Sequence, residues 1–125
     1  MSVLDASAVL ALLNGEPGAR AVSAHIANGA MISAVNYAEV ATKLADLALP
    51  DAAARGILEA LGLLVQPFDD GQALTTGVMR SGTRDAGLSL GDRACLALAH
   101  HVGMTAVTAD RAWQGLTDVV VEVIR

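Results

Sequence analysis

Four acidic residues stand where a fold could gather them into one pocket. Asp5 directly follows the apolar pair Val3-Leu4, and Glu39 lies inside a helical stretch. Asp92 ends Ser89-Leu90-Gly91-Asp92 at the mouth of a helix, and Asp110 closes Val107-Thr108-Ala109-Asp110. Together they could hold a hard divalent metal through carboxylate oxygens. Asp5 and Asp110 fall at the C-terminal ends of two expected parallel strands, and in doubly wound sheets those ends share one crevice. Two acids placed there repel each other unless a cation or a proton lies between them. One turn beyond Asp92 come Cys95, Leu96 and then Ala99, so its carboxylate runs along an apolar face where an uncompensated charge is costly.

Each acid also has an ordinary structural use. Asp5 can cap the helix that follows it, Ser89 and Asp92 have the spacing of a capping box, and Asp110 suits a helix first turn. Glu39 and Lys43 have the i,i+4 spacing of a surface ion pair, and Asn36 and Asp46 extend the same face as if it were solvated. Other chemistries find no support. There is no G-x-x-x-x-G-K-[ST] and no G-x-G-x-x-G after a strand; Gly82 and Gly87 have the first spacing, but Leu88 stands where its lysine belongs. His100 and His101 are adjacent, diverge on a helix, and fit a C-terminal helix position better than one zinc ion. Cys95 lies in an apolar helix and reads as packing, and no G-x-S-x-G elbow presents a serine nucleophile.

The elements that must position these residues alternate strand and helix. Val3-Leu4, Ala30 to Ser33, Leu63 to Val65, Met104 to Val107 and Val119 to Ile124 read as short strands. Helices are expected from Ser7 to Asn14, from Pro17 to about Asn28, and from about Ala34 to Leu49. Further helices run from Ala52 to Leu61, from Asp69 or Asp70 towards Arg80, and from Leu90 to Val102. Ala112-Trp113 reads as a short helical turn. Glycines 15, 29 and 62 are placed as helix ends, Ser33 as a cap, and residues 81–87 as the most loop-like stretch. Short apolar strands alternating with helices imply a parallel sheet covered on both faces.

With 125 residues the chain has the size of one domain, residues 1–125, with one core. Hydrophobic residues make up 54% and charged residues 17%, against about 25% charged in typical domains. Mean hydropathy is +0.50. Such a chain has more apolar surface than it can bury alone, which favours a homodimer or a tightly bound partner. The longest apolar runs, such as Ala94 to Ala99, fall short of the roughly 20 residues of a membrane helix. The opening residues show no basic n-region or small-residue cleavage site, and a lone Cys95 suits a reducing cytoplasm. A net charge of −5 argues against a binder that works through a basic face. It leaves a nuclease open, because a cation reverses the local charge of a carboxylate site.

Four blocks carry a resemblance across the whole chain: Val3-Leu4-Asp5-Ala6-Ser7; Ser33 with Tyr37-Ala38-Glu39-Val40; Leu90-Gly91-Asp92-Arg93-Ala94; and Thr108-Ala109-Asp110-Arg111-Ala112-Trp113. In this order they resemble the signature blocks of PIN-domain ribonucleases, and among these the VapC-type toxins of bacterial toxin–antitoxin pairs. The resemblance implies a three-layer α/β/α sandwich with a short-stranded, mainly parallel central sheet. It implies that Asp5, Glu39, Asp92 and Asp110 hold Mg2+ or Mn2+, and that Thr108 orients a water or a carboxylate, with Ser7 a weaker candidate for such support. Some relatives carry a further acid where this chain has Arg111, Ala112 and Trp113, which puts a second metal position in question. RNA would be hydrolysed by a metal-activated water to a 5′-phosphate and a 3′-hydroxyl. Arg80, Arg84, Arg93 and Arg111 are the cations placed near the site, with Arg84, Arg93 and Arg111 taken as RNA contacts and Arg84 preferred.

The same resemblance implies a cytoplasmic homodimer neutralised by a small antitoxin. Val9 to Leu13 and Val22 to Ile26 are equally suited to antitoxin contact or to the core. Two rivals remain at this point. An acidic Mg2+ site at strand ends also serves phosphotransfer or a phosphatase, though the only lysine, Lys43, is expected mid-helix rather than at a strand end. A catalytically degenerate PIN domain would act only as a binding module, against which the presence of all four acids argues. The roles of Ser7 and Asn36 are not assigned by the sequence.

Overall fold

Strands buried on both faces need no polar alternation, and the short apolar runs form a single sheet on that principle. The computed structural model, describing residues 1–125, has β1 (Ser2–Leu4), β2 (Ala30–Ser33), β3 (Leu64–Gln66), β4 (Thr105–Thr108) and β5 (Val121–Val123). All pairings are parallel, in the order β3-β2-β1-β4-β5. The first strand is therefore the central one. Leu4 lies in register with Ile32 on one side and Val107 on the other.

Seven helices cover the sheet: α1 (Ala6–Leu13), α2 (Ala19–Ala27), α3 (Ala34–Asp46), α4 (Asp51–Ala60), α5 (Asp70–Val78), α6 (Arg80–Thr83) and α7 (Leu90–Val102). A 3-10 turn spans Arg111–Trp113. Successive strand residues point to opposite faces, so the sheet divides the core in two. Leu4, Ile32 and Val107 pack with Ala8, Val9, Val22, Val40 and Leu58 from α1 to α4. Val3, Met31 and Ala106 pack with Cys95, Leu96, Leu98 and Trp113 on the side of α7, against which α5 also lies. Burying a side chain such as Leu4 or Ile32, neither of which touches solvent, contributes about 1.5–3 kcal/mol. The result is the expected three-layer α/β/α arrangement with an entirely parallel sheet.

Several boundaries differ from the sequence reading. Helix α2 starts at Ala19 rather than Pro17, because Gly18 turns the chain with φ +96° directly beneath Ile124. Helix α3 stops at Asp46, and the chain then passes through Ala48 with φ +59°. Within the expected loop 81–87, Arg80–Thr83 is helical; the Thr83 hydroxyl donates to the Met79 carbonyl at 2.8 Å and the residue is buried. Val9 and Val22 belong to the core, whereas Leu10, Leu12, Leu13 and Ile26 are half-buried at its margin. His101 meets the Thr75 hydroxyl at 3.1 Å at the end of α7. No helix is long and apolar enough to cross a membrane.

Candidate acidic site at the sheet switch point

The strand order reverses direction between β1 and β4, which places the crevice beyond the C-terminal ends of those two strands. Asp5 follows β1 and Asp110 lies two residues beyond β4. Asp5 is the N-cap of α1 and is buried: its Oδ1 accepts the Ala8 amide at 2.8 Å and the Ser7 hydroxyl at 2.8 Å. Its Oδ2 accepts the Thr108 hydroxyl at 2.6 Å. Ser7 Oγ in turn accepts the Ala109 amide at 2.9 Å, and Thr108 Oγ1 accepts the Asp110 amide at 3.0 Å. Two hydroxyls thus tie the start of α1 to the end of β4 around one carboxylate.

Burial pushes the Asp5 carboxyl from an ordinary 3.8 up to about 6. The hydrogen bonds from Thr108, Ala8 and Ser7 oppose that shift, and the charge of Asp92 adds to it. Desolvation outweighs the three donors because no cation pairs with the acid; the protein's ion pairs are His25 with Glu122 and Arg125 with Glu16.

Helix α7 enters at the same place. Its Ser89–Asp92 capping box forms as the spacing suggests, with Asp92 Oδ2 accepting the Ser89 amide at 2.9 Å and Ser89 Oγ accepting the Asp92 amide at 3.2 Å. Asp92 is half-buried. Glu39 reaches this turn from α3, where its Oε1 accepts the Asn36 side-chain amide at 2.8 Å. The expected ion pair with Lys43 does not form, and Asn36 is 1% exposed rather than solvated. One turn into α7, the Cys95 thiol is held well above its ordinary range by burial first, and then by the charges of Asp5, Asp92 and Glu39. Three acids from three elements therefore act on one buried point.

Asp110 is placed differently. It is exposed and caps the 3-10 turn, its Oδ1 accepting the Ala112 amide at 2.9 Å. The capping uses of Asp5, Asp92 and Asp110 are all realised, and no three His, Cys, Asp or Glu side chains converge tightly enough to hold an ion as they stand. The donor set nevertheless fits a hard divalent cation. It is entirely carboxylate, and Asp5 carries a desolvation cost that a cation would remove.

The arginines separate as well. Arg80, Arg84 and Arg111 are exposed. Arg93 is buried between α7 and α5, donating to the Thr76 carbonyl at 2.9 Å, and this corrects its expected place among RNA contacts. Asn36 and Gly91 are the site residues that sequence reasoning missed. Asn36 Nδ2 also donates to the Gly91 carbonyl at 2.9 Å, a partner 55 residues away that no local pattern announces.

A family profile for the PIN domain matches residues 2–118, and the chain belongs to the PIN domain family. Its fold is similar to that of DNA-bound VapBC from Salmonella typhimurium, at 20% identity and TM-score 0.76 over 100% of both chains. It is similar also to a toxin–antitoxin complex from Klebsiella pneumoniae, at 18% identity and TM-score 0.75 over 96% of each chain. FitAcB from Neisseria gonorrhoeae shares 24% identity at TM-score 0.68, over 97% of this chain and 96% of that one. No curated protein matches the sequence significantly.

Proposed function

We propose that the chain is a Mg2+- or Mn2+-dependent endoribonuclease acting as the VapC-type toxin of a toxin–antitoxin pair in the cytoplasm. The observation that carries the reading is the buried Asp5 carboxylate, set at the sheet switch point with Glu39 and Asp92 facing the same helix mouth. Asp5, Glu39, Asp92 and Asp110 would hold the cation. When bound, it would supply the positive charge that lowers the pKa of a water and offsets charge building on the scissile phosphate. Thr108 holds the Asp5 carboxylate through Oδ2 and Ser7 through both oxygens, so of the four acids Asp5 has the most hydrogen-bond donors on it. Asp110 would leave its cap on the Ala112 amide to join them, an exchange its exposure permits. Arg84 and Arg111, both exposed, are the cations available to RNA phosphates.

An antitoxin and a second copy are the expected partners. Support comes from the toxin–antitoxin complexes among the fold's relatives. It comes also from apolar side chains left in solvent, including Leu74 and Val78 one turn apart on α5.

A second reading has its own observation: Asp5, Asp92 and Asp110 are all satisfied as caps, as a PIN domain kept only for binding would require. Calorimetry with Mn2+ and cleavage of total RNA separate the two, using wild type and the Asp5→Asn, Asp92→Asn double variant. Binding and cleavage by the wild type, both lost in a variant with native circular dichroism, are expected. Equal metal binding and cleavage by the two proteins would sink the nuclease reading.

A further inference from the structure

One side-chain amide of α3 hydrogen-bonds to the first turn of α7. Asn36 Nδ2 donates at 2.8 Å to Glu39 Oε1 and at 2.9 Å to the Gly91 carbonyl. Both partners accept only, so the amide must present its nitrogen here; the opposite orientation would set an oxygen against two oxygens. Aspartate has the same shape but no proton for either partner at neutral pH, and serine has one proton instead of two.

Gly91 completes the arrangement. A Cβ at this position would lie 2.7 Å from Glu39 Cδ and 2.8 Å from Oε2, and would also collide with Oε1. Real Cβ atoms do not approach so closely. The obstacle is the far end of a flexible side chain, so alanine at 91 would leave both helices intact and move only the Glu39 carboxylate.

The geometry points to Asn36 as a positioning residue, and to Gly91 as the space it needs, which together hold the Glu39 carboxylate against the helix turn that carries Asp92. An exposed glutamate with several rotatable bonds is thereby held against the turn that carries a second acid. The inference rests on the metal-site reading above for its purpose, but the latch itself belongs to the metal-free protein.

The test has one arm without metal and one with it. In metal-free protein, Asn36→Asp should lower the unfolding midpoint, since it opposes two carboxylates. Adding Glu39→Gln should recover part of that loss, because the new amide donates to the aspartate. In the second arm Gly91→Ala should unfold at or above the wild-type midpoint while binding Mn2+ at least about tenfold more weakly by calorimetry. Glu39→Gln should show a similar loss, and Gly91→Ala combined with Glu39→Gln should lose no more than Glu39→Gln alone, as expected of residues acting as one unit. Full Mn2+ affinity in Gly91→Ala, or no recovery by the Asn36→Asp, Glu39→Gln pair, overturns the inference. Wild-type protein that binds no Mn2+ removes the metal reading instead, and the recovery experiment then decides the latch by itself.

Discussion

Thr108 donates its hydroxyl to Asp5 Oδ2 at 2.6 Å across 103 residues of sequence, and Thr108 Oγ1 itself accepts the Asp110 amide at 3.0 Å. One hydroxyl therefore sets the first acid and the chain that carries the last. Thr108→Val should cost about 1–3 kcal/mol, since it leaves a buried carboxylate short of a donor and an amide without its acceptor. Thr108→Ser should recover most of it. Urea unfolding of the three proteins measures both values.

Asp5 makes the metal-free protein less stable as the pH rises. Its folded pKa, about 6, lies above its ordinary 3.8, so the folded state holds the proton more tightly. The contribution is complete below pH 3.8 and is lost as the pH climbs through 6, a swing of about 3 kcal/mol. Asp5→Asn should flatten this part of the pH–stability curve and raise the midpoint at pH 7.5. A curve with the same slope in both proteins would remove burial as the dominant influence on Asp5.

Arg93 offers the contrast between a buried and an exposed cation. Its Nε has no partner and its one hydrogen bond runs to the Thr76 carbonyl. Replacing such a charge with an apolar group of similar size is often neutral or stabilising. Arg93→Met should hold or raise the unfolding midpoint and leave RNA binding unchanged. Arg84→Ala or Arg111→Ala should each lower the salt dependence of binding, by about 0.7 in the log–log slope for one lost phosphate contact to single-stranded RNA.

Gly18 joins the start of α2 to the end of the chain. Its φ of +96° and the 2.7–2.9 Å separation of an added Cβ from Ile124 atoms make alanine unfavourable twice over. Gly18→Ala should cost about 1–2 kcal/mol from the backbone alone, and the crowding at Ile124 should add to it. Thermal unfolding gives the sum.

What the sequence made legible was local. Helix α7 runs from Leu90 to Val102 as its apolar pattern and capping box predict, and Asp5, Ser33 and Asp69 all cap the helices that follow them. What it hid depends on partners far along the chain. Asn36 looked solvated because its neighbours on α3 are, whereas its position is set by Gly91. Arg93 looked exposed because a charge usually is. In α7, however, residues 93–99 are all buried, so the helix has no polar face there to betray which side a cation takes. Residues 81–87 have turn-like composition, yet the Thr83 hydroxyl on the Met79 carbonyl and the burial of Thr83 keep Arg80–Thr83 helical.

The central position of β1 has a consequence for the order of synthesis. β1 has one neighbour, β2, close by along the chain, but its other neighbour is β4, more than one hundred residues later. Until Thr108 and Ala109 emerge, Asp5 lacks the Thr108 hydroxyl and Ser7 lacks the amide it accepts. Nascent chains ending before β4 therefore carry the first acid, Glu39 and Asp92 without the clasp that fixes Asp5. The clasp around Asp5 therefore closes only after β4 has been made and has docked beside β1.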